Sequence, residues 1–550
     1  MMFRYLEPDA QALAQHCDIW ELSFYSVYVP IKNTDLKITE LARLHEQHAD
    51  VVLNEHIMTT YVGAKLVNSL ARLATSTKSA TGFAEEARAY FNGRFKIVLA
   101  ASGYDPASLQ DIPASWTCVD IFRAMADILD GVYREVLLYL RRLAFSRDAL
   151  SYSGPLFGYL DFLVPFIHDL KQMSFMPKGP IFLLFDDADN LNETQTRILN
   201  SWVSSRTSGD ISLKISTQLA YKTFRTITGQ TIDSPHDFSE VNLSTIYTSS
   251  NDRYRERIAE IVTKRLRNHG LSISPEQFFP PDEEQEEKIR ARAQALREQW
   301  AMGEGRGHRA SDDAIRYARP DYIRSLRGAS KSGHTYSYAG FGQLVHVSSG
   351  IVRYFLQAAA QMYAEQQARL PNDAAIEAIP HHIQNTVVRE QADRFLFTEF
   401  ERIELDQDAS KLKPVSKLRN LILALGGLFY ETLVSDRSER RVFSIAFSDA
   451  PDAEIRGVFA LGIQYGYFHE SAIGNKEGTG RTKLYILSRR LAPHFNLDPT
   501  SFAGYRFVTS NVIRDAMTRP KTFLGRVRNG AINADTLETY QLSLLPEEEQ

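Results

Sequence analysis

The run IFLLFDDADN, residues 181–190, carries five apolar residues straight into two aspartates, Asp186 and Asp187. A strand buried on both faces reads as such an unbroken apolar run, and the carboxyl ends of an open parallel sheet are where functional side chains gather. A nucleoside triphosphate needs one carboxylate near its Mg2+ and often a second that orients the attacking water, so this pair fits that chemistry. It also fits a plainer role, in which the two acids end the strand and cap the helix that follows. Further along, ISLKIST, residues 211–217, ends in Ser216 and Thr217. Small polar groups at the tips of two neighbouring strands suit a shared phosphate site.

Other chemistries find little support. His334, His346, His381, His382 and His469 have no ligand spacing with acids or cysteines, and no Ser/His/Asp order or dinucleotide glycine motif stands out. Cys17 and Cys118 lie far apart in a chain of 550 residues, which argues for a reducing compartment and against a disulfide framework. The cytoplasm is the expected location. The N-terminus lacks the order of a signal peptide, and no apolar run approaches the ~20 residues that span a bilayer. With 63 Lys and Arg against 67 Asp and Glu, the net charge of -4 gives no whole-chain field toward nucleic acid, so any basic surface is local.

The elements that position these residues follow from the hydrophobic pattern. Length alone predicts several domains. Up to about residue 245, helix-like stretches (40–91, 120–146, 156–175, 191–205) alternate with strand-like ones (20–30, 94–102, 181–187, 211–217, 237–244), which predicts a mainly parallel sheet covered on both faces. From 251 the chain turns to charged amphipathic helices, with a glycine-rich break at 302–312. From 385 onward the order helix, strand, helix, hairpin is that of a winged helix.

The succession IFLLFDDADNLN, ISLKISTQ, FSEVNLS with a charged helix, LVHVSSGIVRYFL and a winged helix resembles the AAA+ ATPases of the origin-recognition (ORC) initiator type. The resemblance implies a P-loop-type α/β core over 1–250, a helical lid over 251–384, a winged-helix domain over 385–510 and a C-terminal tail over 511–550. It implies ATP and Mg2+ as cofactors, with Asp186 at the metal and Asp187 orienting water (Walker B). Thr217 or Ser216 matches sensor 1, and Arg353 matches sensor 2. Arg225 or Arg206 matches an arginine finger, which would act in a homo-oligomer. The family also carries a first strand and a GxxGxGK[ST] loop before the helix with which this chain opens. Neither YVGAKLVN nor GNKEGTGRTK supplies that loop. The expectation is a chain that starts downstream of its natural start and binds nucleotide poorly as given. The alternative is a true loss of the loop, leaving a scaffold or protein-interaction module without ATP hydrolysis.

DNA and a partner effector protein are the candidate macromolecular partners; a membrane is not. Residues 316–331 hold Arg316, Arg319, Arg324, Arg327 and Lys331 against Asp321, with Tyr336 and Tyr338 following. Such a stretch contacts phosphates, or else forms ion pairs with the acidic 281–287 segment. The expected wing gathers Lys476, Arg481, Lys483, Arg489 and Arg490 against Glu477. A glycine-rich hairpin of this charge rides a DNA backbone, and winged helices also bind proteins.

Overall fold

The computed structural model describes residues 2–31, 49–76, 80–145, 151–205, 209–217, 221–241, 251–305, 310–327, 335–371, 375–405, 412–435, 440–474, 481–500 and 504–528. The chain divides into two units, Met1–Val241 and Asn242–Gln550.

In the first unit, α1 (Met2–Tyr5) and α2 (Pro8–Gln15) precede strand β1 (Tyr25–Pro30). Helices α3 (Ala49–Ser76), α4 (Ala80–Tyr90), α5 (Lys96–Ala101), α6 (Cys118–Phe145) and α7 (Val164–Lys171) come before β2 (Ile181–Asp186), α8 (Glu193–Ser204) and β3 (Ile211–Ile215). The three strands pair in the order β1-β2-β3, all parallel, with Pro30 opposite Asp186 and Ile181 opposite Ile211. Side chains alternate across a strand, so Tyr25, Val27 and Val29 share a face with Ile181, Leu183 and Phe185. That face joins the helical core with residues such as Ile57 and Leu66 of α3 and Ile121 and Leu129 of α6. Leu183 and Phe185 are fully buried, and truncating either to alanine costs about 2–5 kcal/mol. On the opposite face, the Ser26 hydroxyl donates to the Leu6 carbonyl and Arg4 lies over the Tyr28 ring.

Residues 94–102 are not the expected strand. A π-turn (Phe91–Phe95) carries α4 straight into α5, and Phe91, Phe95, Val98 and Leu99 face the core at helical spacing. Residues 237–241 form a turn and irregular backbone; the rest of that expected strand, 242–244, lies outside the described residues. The YVGAKLVN segment, 61–68, is interior to α3 and has no loop character.

The second unit opens with α9 (Asn251–Asn268), α10 (Pro275–Phe278), α11 (Glu283–Ala301), α12 (Ala310–Ser325), α13 (Phe341–Val347), α14 (Val352–Gln367), α15 (His381–Leu396) and α16 (Thr398–Leu405). Then follow α17 (Leu412–Leu433), β4 (Val442–Phe447), α18 (Ala453–Gln464), β5 (Phe468–Gly474), β6 (Arg481–Leu487), α19 (Ala492–Phe495), β7 (Gly504–Val508), α20 (Ser510–Thr518) and α21 (Pro520–Arg528). The sheet runs β5-β6-β4-β7, with β5, β6 and β4 antiparallel and β7 parallel to β4. Residues from Tyr254 through Phe523 share one apolar core. The boundary expected at 384/385 therefore falls inside α15, and Arg389 of that helix donates to the Tyr336 and Pro493 carbonyls on either side. The segment expected as a tail from 511 begins with α20 and α21, which bury Val512, Ile513 and Phe523.

Candidate functional site

The parallel register puts Asp186 at the carboxyl end of the middle strand, with Asp187 next in a left-handed conformation (φ 59°, ψ 44°). Asp is one of the few side-chain-bearing residues that adopts this region readily, and the turn swings the second acid away from the strand direction. Ser216, just past β3, ties both together. Its hydroxyl donates to Asp186 Oδ1 at 2.5 Å and accepts from the Asp187 amide at 3.1 Å, while its carbonyl accepts from the Ala188 amide at 2.9 Å. From the other flank, the Tyr28 hydroxyl donates to Asp186 Oδ2 at 2.8 Å. Burial first, and then the bond to Asp186, push the Tyr28 phenol above its ordinary value, so it stays a donor at neutral pH.

Below the acids, the Asn192 side chain caps α8 together with Gln195, whose amide also donates to Asn54 of α3 at 3.0 Å. Trp202 of the same helix donates to Glu55 and stacks on Tyr159, with ring centroids 4.8 Å apart. These bonds fix α8, and with it the turn that carries Asp187.

The donor set is two carboxylates and a hydroxyl, hard oxygens of the kind Mg2+ takes. Among the described residues no group of three or more His, Cys, Asp and Glu could hold a metal by itself.

Of the residues expected at this site, Asp186, Asp187 and Ser216 come together. Thr217 is exposed beside them. Arg225 is exposed on a small turn whose backbone is held by Asn200 and which bridges to Thr231; Arg206 lies outside the described residues. Arg353 is exposed on the first turn of α14, after a tight turn in which Ser349 and Gly350 both have positive φ. Tyr28 was missed, because the sequence does not give the register that sets it diagonal to Asp186.

The basic residues of the second unit sort differently. Arg319 is turned inward, making two 3.1 Å bonds to Glu286 and one to the Tyr336 hydroxyl. Burial opposes its charge, but Tyr336, Asp498 and Glu286 outweigh it and hold the guanidinium ionised. The guanidinium expected as a DNA contact thus has its donors on Glu286 and Tyr336. Tyr336 and Tyr338 are buried and offer no stacking face. Arg324 and Arg316 are exposed, and Arg327 pairs with Glu431 at 3.0 Å. On the hairpin, Arg481 is exposed, Lys483 pairs with Glu470 at 2.9 Å, and Lys476 lies outside the described residues. Arg489 and Arg490 are buried, Arg490 between the rings of Tyr354 and Phe395 at 3.9 Å from each, and burial pulls Arg489 down to about 10. A cavity of about 460 Å³ near the hairpin, lined by Phe447, Arg456, Ile463, Lys483 and Tyr485, holds none of the residues of the acidic site. No described helix is long and apolar enough to cross a membrane.

A family model described as ORC-CDC6-like matches residues 1–507. No curated protein and no solved structure matches the chain.

Proposed function

The chain belongs to the ORC-CDC6-like family, which implies an AAA+-type ATPase, and from that premise we propose that it is a nucleotide-gated switch acting on DNA or on a partner protein. One observation carries the reading: two carboxylates at the carboxyl end of a central parallel strand, joined by a serine from the next strand. In this reading Asp186 holds Mg2+ and Asp187 orients the attacking water. Ser216, with Thr217 beside it, senses the γ-phosphate, and ATP hydrolysis sets the state of the switch. Arg353 serves as the lid arginine, and Arg225 completes a neighbour's site in a homo-oligomer. Arg324, Arg327, Arg481 and Lys483 supply the phosphate contacts to DNA, through a winged helix built on α17, β4, α18 and the β5–β6 hairpin.

The test is calorimetry of ATP with and without Mg2+ on the protein as its cell makes it, rather than on residues 1–550 alone, together with the Asp186→Asn variant. Mg2+-dependent binding that Asp186→Asn abolishes supports the reading. The same affinity with and without metal in the parent, or no binding, points to a scaffold without ATP hydrolysis.

A further inference from the structure

Tyr28 and Arg4 belong to no motif, yet they form one end of a continuous chain of contacts to the acidic site. Tyr28 lies opposite Leu184 in the β1–β2 register, so Asp186, two residues further along β2, is on the same face and within diagonal reach. Asp186 then accepts from hydroxyls on both flanking sides, Tyr28 from β1 on Oδ2 and Ser216 from beyond β3 on Oδ1. Behind the phenol, the Arg4 guanidinium sits 4.0 Å from the ring centroid and donates to Glu7 Oε1 at 2.9 Å. Arg4 is on α1, and Glu7 immediately precedes α2.

We propose that Tyr28 is a positioning residue for Asp186 and that Arg4, stacked on it, couples the N-terminal helices to that carboxylate. The inference rests on the reading of Asp186 as the Mg2+ carboxylate. A carboxylate with one donor on each oxygen is held in a single orientation before a cation arrives, and outer partners of this kind are commonly worth 10–100-fold in metal affinity. Displacement of α1 withdraws Arg4, loosens the phenol and releases Asp186. The state of the N-terminal segment is thereby passed, through β1, to the metal end of a nucleoside-triphosphate site on the neighbouring strand.

The experiment is calorimetry of ATP binding across a Mg2+ series on the intact protein, its Tyr28→Phe and Arg4→Ala variants, and both again in an Asp186→Asn background. Tyr28→Phe is expected to raise the Mg2+ concentration for half-maximal effect about tenfold while leaving metal-free ATP binding unchanged. Arg4→Ala shifts it the same way by roughly threefold, the size of one exposed cation–π contact. In the Asp186→Asn background neither change adds anything, because the group through which they act is gone. A merely structural role for Tyr28 would alter metal-free binding as well. Mg2+-dependent binding in the parent with an unmoved requirement in Tyr28→Phe overturns this inference alone, whereas no Mg2+-dependent binding in the parent overturns the nucleotide reading itself.

Discussion

The acid end of the first sheet and the arginine-rich second unit treat their charges in opposite ways. Asp186 is met by two neutral hydroxyls and forms no ion pair among the described residues. Arg319 and Arg440 are turned inward, each onto a carboxylate: Glu286 and Asp321. A neutral donor orients a charge without cancelling it, whereas an ion pair consumes it. Charged residues counted along a sequence look alike; what separates a site from a scaffold is the partner each one has in the fold.

The sharpest break of that comparison is Arg440. Its side chain is fully buried against Asp321 at 2.7 Å, with the Tyr317 ring centroid 5.0 Å away. Asp321 is only partly buried, so Arg440→Ala leaves it unpaired but near solvent and also empties the volume the guanidinium stem fills; the change is expected to cost about 2–3 kcal/mol of stability by denaturant unfolding. A cost below about 1 kcal/mol would show that the second unit's arginines are not its framework.

A second effect separates the two units by pH. His56 in the first unit, and His346 and His469 in the second, are pulled down to about 4, in each case first by burial. An imidazole that the fold keeps neutral takes up a proton on unfolding, so the unfolded chain binds more protons between about 6.5 and 4. Stability therefore falls as pH drops through that window, by up to about 3 kcal/mol per histidine at its lower end. Melts followed from pH 7 to pH 5 should show the second unit, with two of the three, weakening more than the first. Equal weakening would place the burden elsewhere.

Why some of this was legible and some not follows from particular residues. The β2 strand declared itself by five consecutive apolar residues, and a central parallel strand needs that pattern. RFKIVLAAS has the look of a strand because Ile97, Val98 and Leu99 are contiguous, but Phe91 and Phe95 before them continue the period of α4, and the helix runs on through the π-turn despite Asn92 and Gly93. The two acids and Ser216 are legible because they lie at or just beyond the carboxyl end of an apolar run. Tyr28 is not, since only the inter-strand register sets it beside Asp186. The inward turn of Arg319 depended on a partner 33 residues away, and the acidic segment around 281–287 was its one sequence trace.

The smallest expected effect concerns the hairpin. Arg481 is exposed while Lys483 is already engaged by Glu470, so neutralising both should weaken duplex DNA binding modestly across unrelated sequences. The salt dependence should become shallower by roughly one unit, the share of one lost phosphate contact. An unchanged affinity and slope in a filter-binding titration would assign the hairpin to protein contacts.

The central claim, that Asp186 and Asp187 form a nucleotide-hydrolysing edge, is tested most directly by comparing ATP turnover in the intact protein and its Asp187→Asn variant, alongside ATP affinity. Asparagine keeps the volume and tolerates the left-handed backbone at this position while removing the charge that would orient water. The account predicts turnover reduced by roughly 10²-fold or more with ATP affinity preserved. Equal turnover in variant and parent would contradict it.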